Sequence, residues 1–344
     1  MGKLENILND YYDLKKVQKN LLLGNGLSIS IHDRFSYENL LRASSKIDGS
    51  RKAVYDLFYD FKTSNFEDVM GKFQDSLLIY DKLNISSDES RSVIQSAIKS
   101  IREIFLKSLN DVHPRSLCDI HNFDKINALH WFLSFFDSVF TTNYDLLIYW
   151  VLSKFNYKKT TGEMFSDGFG RKEGDGLVWS NMNIQNLFYI HGALHIKHSD
   201  SFFAEKVEFI ENGVSILDQV RENLEKSYYP IIILEGTSSQ KINSINSSAY
   251  LSFCFERLKR IQGHLFIHGS SFGDNDSHIY ESIFSNKDIK RLYVSAHGES
   301  YSQIKNKINM FSDKYKREDG FVKYYDSESV FSVNWSAIGN REAK

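Results

Sequence analysis

The chain has 344 residues, 42% apolar and 25% charged, with a formal net charge of −2. This is ordinary globular composition, long enough to bury a sizeable core, and it offers no general electrostatic basis for binding nucleic acid or an anionic membrane. The only two cysteines, Cys118 and Cys254, are too few for a disulfide framework or a four-thiolate zinc site, and no secretory leader or membrane-length apolar run is visible, so the expected compartment is the cytoplasm.

Residues 1–18 open with a charged amphipathic pattern (Lys3, Leu4, Glu5, Ile7, Leu8), expected to form an N-terminal helix. Leu21 to Leu23 then reads as a buried strand that ends in Gly24-Asn25-Gly26-Leu27-Ser28, with helical pattern following near Tyr37 to Leu41. Residues 48–133 look different: Val54, Leu57, Phe58 and Phe61, then Phe66, Val69, Met70, Phe73 and Leu77, then Val93, Ile94, Ala97, Ile98, Ile101, Ile104 and Phe105 all recur at helical spacing. Ser64 with Glu67 suggests a capping box for the second of these segments. An all-helical module inserted between two core strands is therefore expected.

Five more apolar runs follow: Val139 to Phe140, Leu187 to Ile190, Ile231 to Leu234, Leu265 to Ile267 and Leu292 to Val294. They end in Thr141-Thr142-Asn143, His191-Gly192, Glu235-Gly236-Thr237-Ser238, Gly269-Ser270-Ser271 and Ser295-Ala296-His297-Gly298. Helical patterns alternate with them, such as Leu251, Phe255, Leu258 and Ile261, as parallel strands with crossovers require. Glycines between Thr161 and Gly176 suggest a long loop or small lid. The fold class expected is α/β, a Rossmann-like parallel sheet flanked by helices, with a core over 19–335 and a polar tail over 336–344. In such sheets ligands lie beyond the carboxyl ends of the strands.

Those strand ends carry the candidate chemistry. Gly24, Asn25 and Gly26 are a phosphate-cradle candidate, because missing side chains let backbone amides approach an anion; the same pattern also serves as a plain tight turn. Asn143 and Asp145 read either as helix caps or as an amide and a carboxylate offered to a ligand. His191 is either a structural histidine or a general base, its imidazole being suited to taking a proton at neutral pH. No carboxylate or cysteine completes a metal set around His195 and His198 at a recognisable spacing, and no metal is expected. Gly269, Ser270 and Ser271 suit ribose hydroxyls and phosphates, while Asp276 reads as a helix N-cap. The stretch from Glu235 to Lys241 fits a binding loop and a plain turn equally.

Taken together and in this order, these residues resemble the sirtuin superfamily, particularly its sirtuin-like members in bacterial anti-phage defence. Gly24-Asn25-Gly26-Leu27-Ser28 looks like the family's Gly-Ala-Gly-x-Ser loop, Thr142-Asn143-Tyr144-Asp145 like its Gln-Asn-x-Asp motif, His191-Gly192 like its His-Gly, and Gly269-Ser270-Ser271 like its Gly-Thr-Ser loop. The resemblance implies that NAD is the substrate, with Gly24, Asn25, Gly26 and Ser28 along its phosphates and Thr142 in the binding loop. It further implies that Asn143 orients the ribose and the attacking water, Asp145 contacts the nicotinamide carboxamide, His191 is the base, and Gly269, Ser270 and Ser271 lie along the adenosine half. The missing zinc-ribbon cysteines argue against protein deacylation, and the defence-type relatives usually hydrolyse NAD. The function expected is a regulated NAD glycohydrolase triggered by a partner protein or a nucleotide, with homo-oligomerisation left open and neither membrane nor nucleic acid as partner. The alternatives are an NAD-dependent protein deacylase and a non-catalytic nucleotide-sensing module.

Overall fold

The structure, a computed structural model, describes residues 2–11, 17–44, 52–83, 88–171, 176–181, 184–198, 203–208, 215–298, 300–335 and 337–338. The start of the helical module at 48–51, part of the glycine-punctuated stretch at 172–175, and tail positions 336 and 339–344 lie outside them. Helix α1 (Leu4–Tyr11) precedes β1 (Lys19–Leu23), α2 (Gly26–Ile31) and α3 (Tyr37–Ser44). Helices α4 (Lys52–Asp60), α5 (Phe66–Lys82), α6 (Asp88–Val112) and α7 (Phe123–Ser134) then lead to β2 (Ser138–Thr141) and α8 (Leu147–Lys154). Short strands β3 (Phe169–Arg171), β4 (Leu177–Trp179), β5 (Leu187–Tyr189), β6 (Gly192–His198) and β7 (Ala204–Lys206) precede α9 (Ile216–Glu225) and β8 (Pro230–Ile232). Helices α10 (Ser238–Asn246) and α11 (Ala249–Lys259), strand β9 (Gly263–His268), α12 (Ser277–Ser285), β10 (Ile289–Ala296), α13 (Ser300–Lys314) and β11 (Val322–Asp326) complete the order.

Six strands form a parallel sheet in the order β11-β10-β9-β1-β2-β5, flanked by helices. Its central strands are buried on both faces, which is why they read as unbroken apolar runs such as Leu21-Leu22-Leu23. The chain leaves β1 toward β2 and β5 on one side and returns to β9 on the other, so the switch in strand order lies beside β1. Ligands of open α/β sheets bind at such a switch.

Five of the six expected strands fall in this sheet. The sixth run, Ile231 to Leu234, instead supplies β8, an edge of a second, antiparallel sheet ordered β3-β4-β7-β6-β8. Pro230, which has no N–H to donate, starts that edge strand. Within the glycine-punctuated stretch Phe169–Arg171 forms β3, paired with β4 just after it, and β11 extends the parallel sheet beyond the six expected runs.

Between α4 and α7 none of the described residues lies in a strand, and most lie in helix, as the periodicity predicts. The helices divide between two apolar clusters. Phe58, Phe66, Met70, Ile101 and Phe105 pack with Tyr149, Leu194, Ile232 and Val220, so α4 to α6 rest on the second sheet, α8 and α9. Leu129, Phe132 and Leu133 of α7 join the cluster of the parallel sheet. The α5 cap is Asn65, whose side chain accepts from Glu67 N, and not the expected Ser64 box. Glu67 is turned elsewhere, as described below.

A candidate active site at the carboxyl ends of the parallel strands

The register places the sequence motifs at one level. Leu23 pairs with both Thr141 and His268, and Thr141 pairs with Tyr189, so Gly24, Thr142, Ile190 and Gly269 each follow the last paired residue of adjacent strands. Asn143 and His191 both stand two residues beyond the Thr141–Tyr189 pair. Tyr144 joins their loops: its ring lies 6.5 Å from that of His191, and its carbonyl accepts from Leu194 N at 2.9 Å.

Gly24 and Gly26 are glycines because of Gly269. Gly26 N donates to Gly269 O at 2.8 Å, and a Cβ on Gly24 or Gly26 would come within 2.7 or 2.8 Å of that same oxygen. Their bare backbone thus closes the β1 loop onto the β9 loop. Asn25 donates its side-chain amide to Phe35 O at 3.2 Å, Thr142 is hydrogen-bonded to Leu23 O, and Ser270 Oγ shares a hydrogen bond of 2.7 Å with Tyr280 Oη. Ser271 is exposed beside them.

Ser28, Asn143 and Asp145 form a buried triangle. Ser28 Oγ donates to Asp145 Oδ2 at 2.7 Å and accepts from Asn143 Nδ2 at 3.0 Å. Asp145 Oδ1 accepts from Leu147 N at 2.8 Å at the start of α8, whose N-cap position is Leu146, and neither Asn143 nor Asp145 occupies that position. Burial pushes the Asp145 carboxyl above its ordinary value, against the opposing hydrogen bonds from Ser28 and Leu147. Ser28 and Asp145 are accordingly engaged in orienting Asn143. What they leave free is Asn143 Oδ1, buried and without a partner. A buried unpaired acceptor is costly.

His191 sits where the chain passes from one sheet to the other. Gly192 takes φ +76° as β6 begins, and His191 O accepts from Ile233 N at 3.0 Å. The imidazole is fully buried, its Nε2 has no hydrogen-bond partner, and burial holds it well below the usual histidine range, so the ring is neutral. His195 is not its companion. That ring lies between Tyr149 and Tyr189 at 4.6 and 5.0 Å, and His198 is exposed further along the strand.

Around His191 is an ionic cluster that the sequence reading missed. Lys241 Nζ lies 2.8 Å from Glu67 Oε2 and 2.7 Å from Asp276 Oδ1, with the lysine side chain fully buried. Tyr144 Oη donates to Glu67 Oε1 at 2.9 Å and also contacts Ile233 O, and Asn275 Nδ2 donates to Glu67. Asp276 occupies the expected N-cap position of α12, yet its side chain makes no capping bond. Its carboxylate faces Lys241 instead. Burial pushes Glu67 up; burial would raise Asp276 as well, but the charge and hydrogen bond of Lys241 hold it below its ordinary value. His278, at 5.7 Å ring to ring from His191, is pushed down to about 4 by burial, and its Nδ1 lies 3.2 Å from Ser238 Oγ.

His191, Asp276 and His278 bring three ligand-type atoms within 4.8 Å of one another. The cation at this cluster is Lys241 itself, and a dication beside its ammonium would be repelled. A signal for the cluster did exist in the sequence. Glu67 precedes buried Met70 by three residues and Lys241 precedes buried Ile245 by four, so each charge lies on the apolar face of its helix.

The stretch from Glu235 to Lys241 joins the helical block to the sheet. Glu235 accepts from Arg102 Nη2 at 2.9 Å, a Cβ on Gly236 would meet Gly71 Cα at 2.2 Å, and Thr237 with Gln240 forms a capping box for α10. Apart from this site, a cleft of about 820 Å³ opens beyond α2, lined in part by His32, Arg34 and Arg42. It contains none of Asn143, His191 or Asp276.

The match to known families extends over this whole arrangement, from residue 21 in β1 to residue 333 beyond β11, and it is to the family described as Domain of unknown function (DUF4917). The chain belongs to that family. No curated protein matches it. No helix among the described residues is long and apolar enough to cross a membrane.

Proposed function

We propose that the protein is a regulated NAD glycohydrolase, with Asn143 and His191 as its catalytic residues. The observation that carries this reading is their shared position two residues past the Thr141–Tyr189 pair, one with an unpartnered buried oxygen and the other a buried, neutral imidazole. In the reaction the bond from ribose C1′ to the nicotinamide nitrogen breaks, and its electron pair leaves with nicotinamide as a neutral molecule. No general acid is needed. Water forms the new bond to C1′ and releases a proton, which His191 takes. Asn143 Oδ1 holds the ribose or the water, and Asp145 and Ser28 fix the amide rather than touching the substrate. The glycine-lined junction of the β1 and β9 loops, with Thr142, Ser270 and Ser271 beside it, is the place for the phosphates and the second ribose. Anti-phage defence, with a protein partner or nucleotide as trigger, is the setting we propose for it.

Purified protein incubated with NAD should release nicotinamide, and His191→Ala should lower turnover about 10²- to 10⁴-fold while changing NAD affinity far less. Asn143→Ala should do comparable damage, and the double variant should be little worse than the worse single one. Wild-type turnover by either alanine variant would end the assignment. NAD binding with no release by any form would instead favour a nucleotide sensor.

A further inference from the structure

We infer that Asp276 is the positioning carboxylate of His191, and that Lys241 and Glu67 hold it in place. The inference rests on His191 as the base proposed above, and it adds a buried charge relay that runs from the helical block to the sheet top.

The relay can be followed atom by atom. A carboxylate at the N-cap of α12 would ordinarily accept a helix N–H. Asp276 forgoes that bond and faces Lys241 Nζ at 2.7 Å, a charge-assisted contact that is stronger than a neutral one. Lys241 in turn is held by Glu67 at 2.8 Å, and Glu67 by Tyr144 and Asn275. Asn275 is the neighbour of Asp276, so the relay closes on itself. This fixes Asp276 Oδ1 at 3.9 Å from His191 Nε2. That is too long for a hydrogen bond to a neutral ring, and close enough for strong attraction to a protonated one.

The other groups facing His191 are the Tyr144 ring, the largely neutral His278 ring and Lys241. None of these favours an imidazolium. Lys241 opposes one, and its charge is already matched by its two carboxylates. When His191 takes a proton from water in a dry pocket, the positive charge that forms is opposed by burial and favoured by Asp276. Facing Nε2, the carboxylate also favours the tautomer with its proton on Nε2, which leaves Nδ1 as the atom that accepts the proton from water.

The test reads the ring directly. Nitrogen-15 chemical shifts of the imidazole, recorded on the full chain at neutral pH and assigned by their loss in His191→Gln, report which nitrogen carries the proton. The expected result is the Nε2–H form in the wild type, a shift toward the Nδ1–H form in Asp276→Ala, and return toward the wild-type form in Asp276→Glu. The acid limb of the pH profile for nicotinamide release should also move down by about one pH unit in Asp276→Ala, because a neighbouring anion no longer favours the imidazolium. A wild-type ring protonated on Nδ1 overturns the inference, and needs no variant to fold. An unchanged tautomer in folded Asp276→Ala overturns it as well. If the tautomer responds as expected while no form of the protein releases nicotinamide, the pairing of Asp276 with His191 stands and the glycohydrolase reading falls.

Discussion

Replacing Lys241 by methionine removes the one cation between Glu67 and Asp276 while keeping the volume of the side chain, so no cavity term enters. The lysine side chain is fully buried, Glu67 is 5% exposed, and Asp276 is 23% exposed. Breaking a buried ion pair from one side costs about 3–5 kcal/mol, because the remaining charge is left without water or partner. Glu67 carries most of that cost here, since Asp276 can recover some hydration. The expected loss at pH 7 is therefore about 3–5 kcal/mol, a large part of the stability of an ordinary domain. The loss also has a pH signature. Without Lys241 both carboxyls have folded pKa values above their unfolded ones, so the variant regains stability as pH falls through those folded values. In the wild type Asp276 lies below its ordinary value, so its contribution is present above its unfolded pKa of about 4 and fades as pH falls below it, while Glu67, raised by burial even beside Lys241, gains stability as pH falls through its folded value; losing Lys241 raises Glu67 further, so the gain begins at higher pH in the variant. The gap between the two proteins should then narrow steadily from pH 8 to pH 5. Urea unfolding at four pH values measures it. A loss under about 1 kcal/mol at pH 7, with a gap flat in pH, would refute the reasoning and leave Lys241 a passive neighbour.

Two glycines give further tests. Gly192→Ala should lower the urea midpoint strongly, since φ is +76° and the added Cβ would lie 1.8 Å from Ile231 O, whereas Gly298→Ala, at φ +42° with nothing within 4 Å, should show only the backbone cost of about 1–2 kcal/mol; equal effects would mean the β5–β6 passage can relax. Gly26→Val should destabilise the fold by about 1–3 kcal/mol or more before it affects any ligand, because its Cβ would meet Gly269 O at 2.8 Å and Gly269 Cα at 2.9 Å. An unchanged midpoint together with lost NAD binding would mean that Gly26 serves the approach of the phosphates and not the closure of the two loops.

The sequence was informative where one local pattern decided the outcome. Leu21 to Leu23 and Leu265 to Ile267 are buried on both faces and could be read as parallel strands from apolar content alone. The run from Ile231 to Leu234 has the same content but starts at Pro230, and its place at an edge of a second sheet depends on pairing with Gly192, forty residues away in the chain. Short strands such as β3, β4 and β7, three residues each, carry too little alternation to be read at all. At the site, the strand-end residues could be identified but not their commitments. Ser28 is expected along a phosphate, and nothing local in the sequence places its hydroxyl between Asp145 and Asn143. Asp276 reads as a cap because a cap needs only local sequence, whereas its ion pair needs a helix thirty-five positions earlier.

The placement of the helical block gives that ion pair its meaning. In a parallel sheet the connection from β1 to β2 leaves from the carboxyl end of β1, so an insertion there starts on the face where ligands bind. The block uses that access. Phe66, Val69 and Met70 seat α5 in the apolar cluster, Gly71 packs against Gly236, and Glu67 on the same turn reaches Lys241. Buried ion pairs add little net stability compared with apolar packing, but they tolerate few alternative arrangements, because a small displacement leaves charges unpaired. An insertion tied to the sheet through Glu67 and Lys241 is thereby fixed in register with Asp276, and through Asp276 with His191. A purely apolar contact between α5 and the β8–α10 loop would hold the block as firmly and would leave the imidazole without an anion beside it.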